Sequence, residues 1–380
     1  MALAEKEALQ LQCGHRENAM GIIEDASAIL GEKTPANRVY PGSAFSKRGP
    51  WDFLGNVPVP LRPHIHNAVG EIAAPLSAGS RPLRWTFPHD KDMKRLRFIR
   101  RLEDYPGMVV SAGHGDAFNR RFYESHVMGG AFSSCQPELA HSAFTDAGLI
   151  DESGSIGVYA VAPFVFLIDH NRLDGAPAPR RWADLMDPVY RGKVVFSGWR
   201  REGERQYRQY NKFFLLAMAQ ELGLKGLAKL VRNVPLLLHS TEMPRLAGTG
   251  ASPGGIYIAP WSMADMCPSC GATEIVWPED GALAYPLWLT VKASHRETAG
   301  PLARYFFGAA LGHYLNGNRY PAVTRDCASG LPEGAKLKWP GWDYVRHPAA
   351  ARMLKAACQT FTDNQVMHAL FRPDELGKCA

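Results

Sequence analysis

Along this chain the spacing of apolar residues changes between two periods. Leu61, Ile65, Val69 and Ile72 recur at helical spacing and predict one buried helix face. Residues 83–87 read as a strand, and Met93, Leu96, Ile99 and Leu102 mark the stripe of a helix over residues 91–102. A strand follows at 108–111, and a helix is expected to start near Ala117, with Asp116 as a candidate N-cap. Residues 157–162 run into Pro163 as a strand that 164–169 continues. A short helix opening at Trp182 stops at Asp187-Pro188, because the residue before a proline is pushed out of helical angles. Gly192 then permits a turn into the β-branched strand at 193–197.

The alternation continues to the end. A helix is predicted from about residue 205 to 222, apolar nearly all round at 213–219 and therefore buried, and a second helix at 224–232. Strands follow at 236–238, 255–259 and 274–277, then a further one at 281–291. An aromatic-rich helix spans 298–315, and after a loop with Pro321, Pro332 and the Trp339-Pro340-Gly341-Trp342 corner a final helix runs from Pro348 to about Phe361. Alternating helices and strands predict an α/β fold with a mostly parallel sheet.

The stretch Trp182-Ala-Asp-Leu-Met-Asp-Pro-Val-Tyr-Arg-Gly-Lys-Val-Val-Phe196 resembles the segment after the first interlobe crossing in ABC-transporter solute-binding proteins of the type 2 periplasmic-binding fold, the group with ferric-iron and spermidine/putrescine binders. The resemblance extends more weakly over residues 50–345. It implies two lobes and two hinge crossings: lobe one from 50–160 and 286–372, lobe two from 161–285, with an N-terminal appendage at 1–49 and a tail at 373–380. It also implies reversible, non-catalytic binding of a small ligand, hinge closure, and service to an ABC permease by a monomer.

Composition narrows this picture. The 380 residues suffice for two domains of ordinary size, each with its own core. A net charge of +6 over this length is modest, and no dense basic tract interleaves with aromatics, so no nucleic-acid partner is expected. Basic residues cluster at 94–101 and 200–208, where a solvated helix face accounts for them. No apolar run reaches the length of a membrane span. Residues 1–12 carry Glu5, Lys6 and Glu7 and no continuous apolar core of a signal peptide. The chain as written is expected in the cytoplasm; a mis-assigned start codon would make it periplasmic. Seven cysteines, an odd number in a chain too long to need staples, point to reduced thiols.

Candidate chemistry gathers at strand ends. Ser111, Gly113, His114 and Asp116 follow one strand, where glycine lets backbone approach an anion and His114 adds a titratable group or metal ligand; a plain turn is the alternative. Trp199, Arg200 and Arg201 follow another, offering an aromatic face and guanidinium forks for carboxylates or oxyanions. His239 and Ser240 follow a third and Trp261 a fourth, while Tyr159 and Tyr285 stand near the two crossings. Cys267 and Cys270, with His239 and Met243, could form a soft site for iron, zinc or copper; a redox pair, or a turn with two incidental cysteines, stays open. Glu279 and Asp280 either meet a cationic ligand or cap a turn. Gly-x-Ser-x-Gly and phosphate-cradling glycine loops are missing, so a metal- or thiol-dependent enzyme is the minor alternative, beside a cytoplasmic metal-handling or sensing protein.

Overall fold

The computed structural model describes residues 49–365 apart from 77–81, 89–92, 94, 114–117, 199–208 and 269–270. The chain divides into two compact units. The first holds the described residues up to Pro163 together with Ala284–Pro348; the second holds the described residues of Phe164–Leu283 and those from Ala349 to Gln365. In chain order the strands are β1 (Phe53–Gly55), β2 (Trp85–Thr86), β3 (Met108–Ala112), β4 (Phe132–Ser133), β5 (Gly157–Asp169), β6 (Val194–Ser197), β7 (Leu236–Leu238), β8 (Ile256–Pro260), β9 (Thr273–Val276), β10 (Ala282–Lys292) and β11 (Leu337–Lys338). The division falls inside β5 and inside β10, so each of these strands carries the chain from one unit into the other. Every residue of both strands is buried, which is why they read as unbroken apolar runs rather than alternating ones.

In the first unit β1 lies between β2 and β3 and is parallel to both, and β10 runs antiparallel to β3. The helix Arg62–Leu76 buries Ile65, Val69 and Ala73. In the second unit the order is β5-β8-β6-β7, with β6 parallel to both neighbours and β8 antiparallel to β5. Trp182 anchors this core. Its ring is fully buried and edge-on to Phe166 and Phe214, at 4.8 and 5.7 Å, and its Nε1 donates to Gly281 O at 2.8 Å. Asp187 ends the short helix and accepts Val189 N at 2.9 Å, while the Asn233 amide donates to the carbonyls of Leu185 and Asp187. The distinctive 182–196 stretch is thus a packing and turn device. Trimming Trp182 to alanine would cost about 3–5 kcal/mol through the cavity it leaves.

Several expectations are corrected. Residues 91–102 do not make one helix: the described part has 3-10 turns at Leu96–Phe98 and Leu102–Asp104, with Ile99 and Arg101 extended. Asn119 donates its side-chain amide to the carbonyls of Arg97 and Ile99, both at 2.9 Å, and so takes the acceptors a helix would use. A helix starts at Arg120 with Asn119 as its cap, while Asp116 and Ala117, the expected cap and start, lie outside the described residues. The 298–315 helix is two, Arg296–Phe307 and Ala309–Gly317, separated by extended Gly308. The strand expected at 83–87 contracts to β2. Lastly, the C-terminal helix Pro348–Asn364 groups with the second unit rather than with lobe one, because Phe361 packs on Phe196 at 5.9 Å and Asn364 accepts Arg232.

Candidate ligand-binding site

In an open α/β sheet, ligands collect beyond the carboxyl ends of the parallel strands. In the second unit β8, β6 and β7 are parallel neighbours, and Ser197 pairs with Leu238 while Phe196 pairs with Ile258. One sheet edge therefore receives Gly198, the segment from His239 to Met243, and Trp261-Ser262. Trp199, Arg200 and Arg201 lie outside the described residues. His239 Nδ1 is 2.7 Å from Thr241 Oγ1, and its backbone amide donates to Glu242 Oε2 at 3.3 Å, so this loop is folded on itself with Ser240 half-buried. Trp261 stands edge-on to Trp277 at 5.3 Å. Beside it the Ser262 hydroxyl is enclosed and has no hydrogen-bond partner, a state that costs about 1–3 kcal/mol until something pairs with it.

Among the described residues the soft-metal candidates are divided. Cys267 and Met243 come together, but both are fully buried in one apolar cluster with Val165, Tyr257 and Trp261. The Cys267 thiol donates to Ala247 O at 3.7 Å and lies 3.6 Å from Thr273 Oγ1. Cys270 lies outside the described residues. Among the described residues no group of three or more His, Cys, Asp or Glu could hold a metal ion. Glu279 pairs with Arg181 at 3.5 Å and Asp280 accepts the Trp182 amide at 3.4 Å, so these carboxylates serve the start of the 182–186 turn.

In the first unit β1 and β3 are parallel, and their carboxyl ends deliver Asn56 and Gly113 to one edge. Gly113 adopts φ +120°, which a side chain would resist, and its amide donates to Pro286 O at 2.9 Å, next to Tyr285. His114 and Asp116 lie outside the described residues. Ser111 is a nearly buried residue within β3, opposite Trp288. Tyr159 and Tyr285 are core side chains, exposed by only 1% and 2%. The Tyr159 ring packs on Phe306 at 5.1 Å, its hydroxyl has no partner, and burial, with Tyr305 and Tyr320 nearby, pushes its ionisation far upward.

Two residues at this edge were not anticipated. Asn56 follows β1 directly, and its Oδ1 accepts Arg62 Nη2 at 3.3 Å, while Arg62 Nε is enclosed with no partner. A signal existed: Arg62 is the first residue of its helix, and no acidic residue occupies the first turn, where negative charge is normally favoured. A cation held at that position, with an unpaired donor, fits an anion arriving from outside.

Two α/β units, connected by the crossing strands β5 and β10, define the two-lobed periplasmic-binding type of protein. The chain belongs to the bacterial extracellular solute-binding protein family, whose model matches residues 103–348. The family consists of non-catalytic binders of solutes for ABC permeases. Solved structures agree on the fold. An ABC transporter from Clostridium perfringens is 12% identical, with 81% of this chain and 99% of that one covered and a TM-score of 0.55. A Bordetella ferric binding protein is 16% identical over 82% and 99% of the two chains, with a TM-score of 0.55. Trichodesmium IdiA (FutA), solved with iron and citrate ligands, is 13% identical over 81% and 98%, with a TM-score of 0.53. No curated protein matches the chain. Among the described residues no helix is long and apolar enough to cross a membrane.

Proposed function

We propose that the solute is a small organic anion carrying at least one carboxylate, bound without covalent chemistry and passed to an ABC permease. The observation that carries this reading is Arg62, a guanidinium with one 3.3 Å bond to Asn56 and an enclosed, unpartnered Nε. A guanidinium fork suits the paired oxygens of a carboxylate, as it does those of a phosphate. The Gly113 turn, at the carboxyl end of the neighbouring strand of the same unit, supplies a further close backbone approach. Hinge motion through β5 and β10 would couple binding to closure, to the extent that the anion prefers the closed state. A second reading, a metal carried together with such an anion, is favoured by the iron and citrate of the Trichodesmium structure.

Calorimetric titration of the full chain with a panel of mono-, di- and tricarboxylates, and with their methyl esters, tests the proposal. At least one carboxylate should bind and its ester should not, and Arg62→Gln should weaken binding roughly ten- to hundredfold while leaving the fold intact, as expected for a lost charged hydrogen bond. Binding confined to neutral or cationic solutes, or unaltered in Arg62→Gln, would overturn it.

A further inference from the structure

We propose that the turn Leu96–Phe98, with the segment that pins it, is a contact surface for anionic phospholipid bilayers. The turn buries Leu96 and Ile99 yet leaves Phe98 61% exposed, with the Arg97 guanidinium 4.9 Å above its ring. This display is held in place. The Asn119 amide grips the carbonyls on both sides of Phe98, at 2.9 Å each, its oxygen accepts Phe122 N at 2.9 Å, and His126 Nε2 sits 3.3 Å from Arg100 O.

Among the described residues of these two segments, Arg97, Arg100 and Arg121 are exposed. The described carboxylates near them are already engaged: Glu103 and Asp104 pair with Arg101, and Glu124 pairs with Arg120. An acidic protein face would match the arginines but would set the Phe98 ring against charge. An anionic bilayer offers phosphates for the guanidiniums and hydrocarbon just beneath for the ring, so it matches both. One ring and a few arginines make such docking weak and reversible. None of these residues belongs to the sheet edges assigned to the solute, so the inference stands apart from the carboxylate reading.

The test is co-sedimentation of the full chain with phosphatidylcholine vesicles and with vesicles that also contain phosphatidylglycerol. Sedimentation is expected only with phosphatidylglycerol and should fall as salt is raised. Arg97→Gln/Arg100→Gln should weaken it about thirtyfold, and Phe98→Ala about tenfold. Neither change should alter the melting temperature or solute binding, since the three side chains are exposed. Equal sedimentation with both vesicles, sedimentation with neither, or sedimentation that both variants retain would overturn the proposal. Binding to polyglutamate without binding to vesicles would also overturn it, and would assign the surface to an acidic protein partner.

Discussion

Asp151 and Arg62 are both charged side chains set into the first unit, and the fold treats them in opposite ways. Asp151, whose side chain is 1% exposed, accepts Arg346 Nη1 and Nη2 at 2.7 Å each, the Ser153 and Ser155 hydroxyls, and the Ile156 amide at 2.9 Å. Arg346 is itself covered by Tyr123 and Trp342, whose rings lie 5.2 and 4.9 Å from its guanidinium. Arg62 has a single long bond and a nitrogen with none. A buried polar cluster that satisfies itself fixes a structure, whereas one left incomplete on a sheet edge is ready for a group that arrives later. Charge alone therefore does not mark a binding residue.

The contrast predicts where substitutions act. Arg346→Met should produce the largest loss, about 3–5 kcal/mol, because it strands the Asp151 carboxylate; urea unfolding reads this directly, and a loss below about 1 kcal/mol would mean the pair is not closed as described. The same pair predicts a pH dependence. Burial alone would raise the Asp151 carboxyl, but Arg346, Ser153 and the Ile156 amide outweigh it and hold the group at about 2. Its contribution, about 2 kcal/mol, is thus fully present above the unfolded value of about 4 and drains away as pH falls toward 2. Thermal melts across that window should show the slope in the native chain and lose it in Arg346→Met. Ser262→Ala is expected to act in the other direction on stability, raising it by about 1 kcal/mol in urea unfolding, because it removes a buried hydroxyl that has no partner. A loss of stability would contradict that reading. The smallest effect is expected from Cys267→Ala, which trims a core sulfur and should leave solute affinity untouched in titrations.

How far the sequence could be read follows the same division between local and long-range causes. The two crossing strands, the Trp182 turn and the parallel strands beside it were legible because their signals are local: apolar runs, Asp187-Pro188, Gly192. The 91–102 helix was misread although Met93, Leu96 and Ile99 are buried as its pattern required, because Asn119, far along the chain, takes the carbonyls. Gly308 splits the later helix by adopting extended angles, which spacing alone does not reveal. That Cys267 and Met243 lie buried together in one cluster was not legible, because composition cannot distinguish a sulfur at a surface from one in a core. Arg62 and Asn56 were passed over because their meeting depends on where β1 ends, and their signal was only a cation in a helix's first turn.

The most direct test of the carboxylate account is native mass spectrometry, with elemental analysis, of the full chain purified without chelator or affinity metal. The account predicts a small anionic organic mass on the native protein, with or without a metal accompanying it, that Arg62→Gln no longer retains. A stoichiometric metal held without any organic anion, or an adduct that Arg62→Gln keeps in full, would contradict it.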